Sequence, residues 1–183
     1  MNKKSNEKVK NMEELIKIPD DRIGVLIGPK GSVRAKIAKK GKCKIEIDSQ
    51  YGEVFIEGEG EEFFRAVDVI KAIGRGFSPE RAFKLFEHDY LLKIIDITDY
   101  TGKSKSTQKA KRGRVIGRKG LARTEIEKKT HALISVQGKT VAIIALPDEM
   151  NKAEEAVKML LQGAKHDTVD RYLDGHGANK FEL

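Results

Sequence analysis

Lys30 and Lys119 each sit inside a pair of glycines three residues apart, Gly28-Pro29-Lys30-Gly31 and Gly117-Arg118-Lys119-Gly120. Glycine lets the backbone turn sharply and come close to a ligand with no Cβ in the way. A lysine held between two such positions supplies a mobile cation. The combination suits binding a phosphate rather than breaking a bond, because neither pair contains a nucleophile beside an oriented base. Arg118 adds a planar fork that pairs two phosphate oxygens or stacks on a base. Arg34 and Arg123 follow about one helical turn further on, where they continue the cationic track, and Arg112 and Arg114 add charge on the approach to the second pair.

A Gly-x-x-Gly pair alone is a weak signal in a chain with 17 glycines, and its context is what gives it weight. Subtracting positions, 117 − 28 = 89, and the same offset pairs Gly24 with Gly113, Ile27 with Ile116, Lys30 with Lys119 and Arg34 with Arg123. It goes on to pair Ile37 with Ile126, Lys39 with Lys128, Lys40 with Lys129 and Ile45 with Ile134. A gap-free offset over that span is an internal repeat, so 183 residues read as two small modules rather than one domain.

Charge follows the repeat. Residues 22–44 carry eight basic side chains and no acid, and residues 103–124 carry nine and no acid. Those windows hold 17 of the 36 basic residues, leaving 19 against 28 acids, so the remainder of this +8 chain is acidic by nine charges. Two acid-free runs on the same repeated feature point to a polyanionic partner.

The elements that must carry the loops follow from periodicity. Glu14–Ile18 reads as a strand ended by Pro19, with short helices at Ile23–Ile27 and Ser32–Lys40. Lys44–Asp48 and Glu53–Glu57 alternate as a hairpin, and Phe63, Ala66, Val67, Ile70 and Ile73 recur at helical spacing up to Gly74 and Gly76. Ser78-Pro79 opens a connecting helix with Ala82, Phe83 and Phe86 on one face. The second copy repeats the order: a strand over Tyr90–Ile97, a polar basic loop over 99–112, and short helices at Val115–Ile116 and Leu121–Lys129. A hairpin over Leu133–Val136 and Thr140–Leu146 follows. Asp148 is expected to cap a last long helix whose apolar face is Met150, Ala153, Ala156, Val157, Leu160 and Leu161, with Val169, Tyr172 and Leu173 beyond a break near Gly163.

The order strand-helix-loop-helix-strand-strand-helix, with Val25-Leu26-Ile27-Gly28-Pro29-Lys30-Gly31 and Arg114-Val115-Ile116-Gly117-Arg118-Lys119-Gly120 at the loops, resembles the type I KH domain. The expected fold class is therefore α+β, two tandem type I KH domains (β-α-α-β-β-α each) joined by a short helix. The expected bounds are 1–12 for a flexible N-terminus, 13–76 for the first domain, 77–89 for the connecting helix, 90–173 for the second domain and 174–183 for a flexible tail. In KH domains the glycine loop clamps the backbone of about four single-stranded nucleotides. The resemblance therefore implies a single-stranded RNA partner. The RNA-binding residues it implies are Gly28, Pro29, Lys30, Gly31 and Arg34, with Arg112, Arg114, Gly117, Arg118, Lys119, Gly120 and Arg123. Ile37, Ile45, Ile126 and Ile134 serve either as a floor for the bases or simply as core. Arg118-Lys119 against Pro29-Lys30 ranks the second loop as the stronger grip, with the first assisting or holding a protein.

Tyr90–Ile97, Asp99–Ser104, Gly138–Ile144 and Leu160–His166 further resemble the ribosome-assembly KH family known as partner of Nob-one. That resemblance implies binding near the 3′ end of small-subunit ribosomal RNA or its precursor, alongside the Nob-one endonuclease or other ribosome-associated proteins. Eukaryotic relatives tend to have a degenerate first loop, so the presence of both Gly28 and Gly31 points to an archaeal-type member. The competing readings are a protein-interaction scaffold built on KH modules and an RNA-acting enzyme.

No cofactor or metal is expected. His88, His131, His166 and His176 have no ligand spacing, and Gly102-Lys103-Ser104 lacks the earlier glycine of a phosphate loop because Ile97 stands there. Asp96 and Asp99 have no accompanying nucleophile, so the chain reads as a non-enzyme. A lone Cys43 fits a reducing, cytoplasmic setting, and no apolar run reaches membrane-spanning length.

Overall fold

The computed structural model describes residues 11–87 and 89–175. The expectations for residues 1–10, His88 and 176–183 lie outside the described residues. The chain packs as two compact units divided between Gly74 and Arg75.

The first unit runs β1 (Met12–Lys17), α1 (Asp20–Ile27), α2 (Ser32–Gly41), β2 (Cys43–Asp48), β3 (Glu53–Gly58) and α3 (Gly60–Gly74). Its strands form an antiparallel sheet in the order β1-β3-β2, with Ile16 opposite Val54 and Ile45 opposite Ile56. Period-two alternation turns those four inward, and all are buried, while Leu15 on the other face is exposed. The five apolar positions expected on α3, namely Phe63, Ala66, Val67, Ile70 and Ile73, are all in the core. Cys43 opens β2, and partial burial pushes its thiol pKa up, which disfavours the thiolate.

The second unit repeats the plan: β4 (Leu91–Asp96), α5 (Lys105–Ile116), α6 (Leu121–Thr130), β5 (Leu133–Gln137), β6 (Thr140–Ala145) and α7 (Pro147–Gln162). Its sheet order is β4-β6-β5, again antiparallel. The six apolar positions expected on α7 are all buried, and an added helix α8 (His166–Leu173) contributes Val169 and Leu173 to the same core. At the start of this unit, before β4, Ser78 caps α4 (Pro79–Ala82), its Oγ accepting from the Arg81 N–H at 3.5 Å. The connection is not one helix, because it tightens into a 3-10 turn over Phe83–Phe86. That turn shortens the repeat from 3.6 residues to three, so Leu85 rather than Phe86 follows Ala82 into the interior.

Two sequence expectations fail here for physical reasons. Residues 105–112 are not a loop: they are the first two turns of α5. Ser104 caps them, its Oγ accepting from Thr107 N–H at 3.4 Å, and only Val115 of the whole helix is buried. A helix with one apolar anchor leaves no 3.6-residue hydrophobic signal to read. Asp148 does not cap α7 either. Pro147 takes the first helical position, which makes Leu146 the cap residue, and Glu149 reaches back to accept from the Leu146 N–H at 3.3 Å.

Candidate nucleic-acid interface

Both glycine loops close the same way. The Gly28 N–H donates to Gly24 O at 2.9 Å and ends α1, and the Gly31 N–H donates to Gly28 O at 3.1 Å. The matching bonds are Gly117 to Gly113 at 2.8 Å and Gly120 to Gly117 at 3.2 Å. The backbone angles repeat as well: φ/ψ is 69/174° at Gly28 and 74/176° at Gly117, then 52/28° at Lys30 and 53/26° at Lys119. Gly31 and Gly120 close the loops at 78/12° and 81/6°. The combination at Gly28 and Gly117 is one that essentially only glycine adopts. A Cβ at Gly117 would also lie 2.6 Å from Ala122 Cβ and 2.7 Å from its backbone N.

Lys30 and Lys119 are held in the left-handed region, unusual for a side chain of that length. Both side chains are exposed. Lys30, Arg34, Arg118 and Lys119 have no acidic partner among the described residues, and Arg34, Arg118 and Lys119 are exposed. Behind each loop starts a ten-residue helix, α2 or α6, with no side-chain cap and no acid in its first turn. The first N–H of each helix is taken within the loop, Ser32 donating to Pro29 O and Leu121 to Arg118 O, so what each helix start offers an anion is its positive dipole end.

Other expected contributors are placed differently. The Arg114 guanidinium is turned to the end of α7, where it donates to Leu160 O at 3.4 Å, Gly163 O at 3.3 Å and Ala164 O. Arg112 donates to Gly138 O at 3.0 Å on the β5–β6 turn. Arg123 Nε lies 3.9 Å from the Glu127 carboxylate, which also pairs with Arg81 and accepts from the Ile134 N–H at 2.6 Å. Its charge is thus partly neutralised, whereas Arg34 in the first unit meets no such acid: by the offset, 127 − 89 = 38, and Ala38 stands there. Of the four isoleucines, Ile37, Ile45 and Ile134 are core, and Ile126 reaches both the core and a surface cavity.

That cavity, about 240 Å³, opens beside the second loop and is walled by Gly117, Arg118, Leu121, Ala122, Ile126 and Val169. Val169 comes from α8, a helix whose spacing in the sequence signals core packing and no site role. α8 is fastened by His166 Nε2, 2.9 Å from Arg114 O, and by Lys129, which pairs with Asp170 at 3.4 Å and Asp174 at 2.8 Å.

Two glycines outside the loops also bear on the site. Gly24 in α1 and Gly113 in α5 lie four residues before Gly28 and Gly117, are exposed, and would admit a Cβ with no atom within 4 Å. An exposed helical glycine costs about 1 kcal/mol relative to alanine. Nothing in the fold requires either one, so each leaves a bare strip of backbone beside the loop.

A model of the KH domain matches residues 13–72, and a model of the second domain of the partner-of-Nob-one type, described as a eukaryotic type KH-domain (KH-domain type I), matches 91–177. The chain is 45% identical over 166 residues to the KH domain-containing protein MJ0443 of Methanocaldococcus jannaschii, covering 88% of this chain and 72% of that protein. Among solved structures it is similar to Dim2p from Pyrococcus horikoshii OT3, with a TM-score of 0.82 and 46% identity over 90% of this chain and 99% of that one. A chain of the a/eIF2alpha–aDim2p–rRNA complex from the same organism gives a TM-score of 0.86 and 44% identity, covering 95% of this chain and 98% of its own. Two matching glycine loops, two matching folds and relatives along most of the length lead to one conclusion: the chain belongs to the KH-domain family, as a tandem of two type I KH domains whose second is of the Dim2, partner-of-Nob-one type.

Proposed function

We propose that this protein is a non-catalytic RNA-binding factor of small-subunit ribosome assembly, gripping single-stranded RNA mainly through Gly117–Gly120. The observation that carries the reading is the second loop itself. Its positive-φ backbone presents Arg118 and Lys119, both exposed and unpaired by acid among the described residues, in front of an uncapped helix. The similar aDim2p is found in a complex with rRNA and a/eIF2alpha, which supports a ribosomal RNA ligand; the family resemblance is what suggests a site near the 3′ end of the small-subunit molecule. Loading that end is compatible with work alongside a Nob-one type endonuclease, and a cytoplasmic setting follows. The first unit is the weaker RNA site and the better place to hold a protein, because Pro29 replaces Arg118 and α1 opens with Asp20 and Asp21.

Four clamped phosphates give an expected slope of log affinity against log salt of about −2.8, from roughly 0.7 per contact. RNA crosslinked to the protein in cells is expected to come from the small-subunit 3′ region. A salt-insensitive affinity, or recovery of protein partners without RNA, would overturn the proposal.

Gly113 gives a sharper check, because its two effects have opposite sign. Gly113→Ala removes a helix-destabilising residue from open surface, so thermal unfolding should show a gain of about 0.5–1 kcal/mol. The same methyl group stands where an RNA strand approaches the backbone, and affinity should fall several-fold. A variant that is more stable and binds as well as the parent would show that the strip is not part of the site.

A further inference from the structure

We infer that the exposed ridge of α5 is a second RNA-backbone track, which extends the grip of the second unit beyond the nucleotides held by its glycine loop. The inference rests on the RNA-binding reading above. Because residues 105–116 are helix, Lys105, Lys109, Gly113 and Gly117 follow one another at four-residue steps and share one side of it. Lys105, Lys109 and Gly113 are all exposed, and the line ends in the loop. At 1.5 Å per residue, the 12 steps from Lys105 to Gly117 span about 18 Å, more than one nucleotide can cover.

Three observations single this ridge out. First, Lys103, Lys105 and Lys109 have no ion-pair partner among the described residues, and α5 itself carries no acidic residue along its 12 positions. Second, the ridge is specific to this copy. By the repeat offset, 109 − 89 = 20, so the lysine at 109 replaces Asp20. The extra turn Lys105–Gln108 corresponds to 16–19, where the first unit has the end of β1 and Pro19 instead. Third, a helix this polar, with Val115 its one buried residue, is a costly way to span a connection, yet it sets two ammonium groups in line with the loop. Regularly spaced, unpaired ammonium groups beside a bare backbone strip fit a run of phosphates. They do not fit base edges, so the track adds affinity without adding sequence preference.

The test uses the full chain and degenerate-sequence single-stranded RNA of about five and about twelve nucleotides, the shorter matched to a four-nucleotide loop clamp. Lys105→Ala with Lys109→Ala is expected to weaken the longer RNA about tenfold at low salt and to reduce its salt slope by about 1.4, two contacts at roughly 0.7 each. Binding of the shorter RNA should stay within about twofold, because the loop is untouched. Lys105→Arg with Lys109→Arg should bind as the parent does. Removing two exposed lysines on the strands, Lys17 and Lys93, should change neither length. Equal losses on both lengths, or no loss on the longer one, would overturn the track while leaving the loop assignment standing. A parent protein that binds neither length would overturn both.

Discussion

Replacing Arg118 and Lys119 together by Asp is expected to lower RNA affinity by at least about a hundredfold while the protein stays folded. The size follows from the geometry. Two exposed cations flank a backbone turn whose helix N-terminus already faces the ligand, so the change removes two charge-assisted contacts, each about 1.5–3 kcal/mol. It also puts two anions where phosphates must sit. Folding should survive because Arg118 and Lys119 are exposed and bonded to nothing that holds the unit together among the described residues. Lys119 occupies φ 53°, ψ 26°, a left-handed conformation that aspartate tolerates better than lysine does. Lys30→Asp in the first loop is expected to cost far less, since Pro29 supplies no charge beside it. Fluorescence anisotropy with labelled RNA, read with circular dichroism of the same samples, measures both arms. Unchanged affinity in the double variant would place the RNA elsewhere, and a larger loss from Lys30→Asp would reverse the ranking of the two units.

How much of this was legible in the sequence depended on which physics wrote each feature. The offset of 89 and the alternating or helical apolar periods come from core packing, which marks every buried position, so α3 and α7 appear with their buried faces intact. The glycine loops were legible through the repeat, because the backbone at Gly117 demands glycine and the left-handed turn at Gly120 favours it. What hid was whatever owes its structure to capping and charge rather than to burial. α5 left no apolar period, being held by Ser104 at one end and Val115 near the other. Arg114 adjoins the loop in sequence, and nothing along the chain foretells that its guanidinium meets the end of α7. A helical residue three positions before Gly117 faces another way, and α7 happens to present its free carbonyls there. Neither partner of that contact announces the other along the chain. The contribution of α8 was unreadable for the same reason: Val169 reads as core and is core, while also walling the cavity beside the loop.

Gly117→Ala is expected to be as damaging as the charge reversal, by a different route. The residue sits at φ 74°, ψ 176°, where an L side chain carries a penalty of about 1–3 kcal/mol before any contact is counted. Its Cβ would then lie 2.6 Å from Ala122 Cβ and 2.7 Å from the Ala122 backbone N. The second neighbour is main chain of α6, so relief requires the helix start to move. Together these predict a loss of about 2–4 kcal/mol in the second unit, and a fall of roughly 10 °C or more in its unfolding transition by calorimetry. Affinity should collapse as well, since the same shift displaces Arg118, Lys119 and the positive end of α6. Gly120→Ala is the matched control. It also has positive φ, 81°, but lies in the ordinary left-handed region and has no atom within 4 Å of a new Cβ, so it should cost only about 1–2 kcal/mol. Gly113→Ala, four residues before Gly117, should move stability in the opposite direction. If Gly117→Ala unfolds no earlier than Gly120→Ala, the loop relaxes freely and its strained backbone is not what fixes it. If Gly117→Ala is destabilised but binds RNA normally, the glycine serves the fold alone, and the grip must come from Arg118 and Lys119 without the help of the helix end.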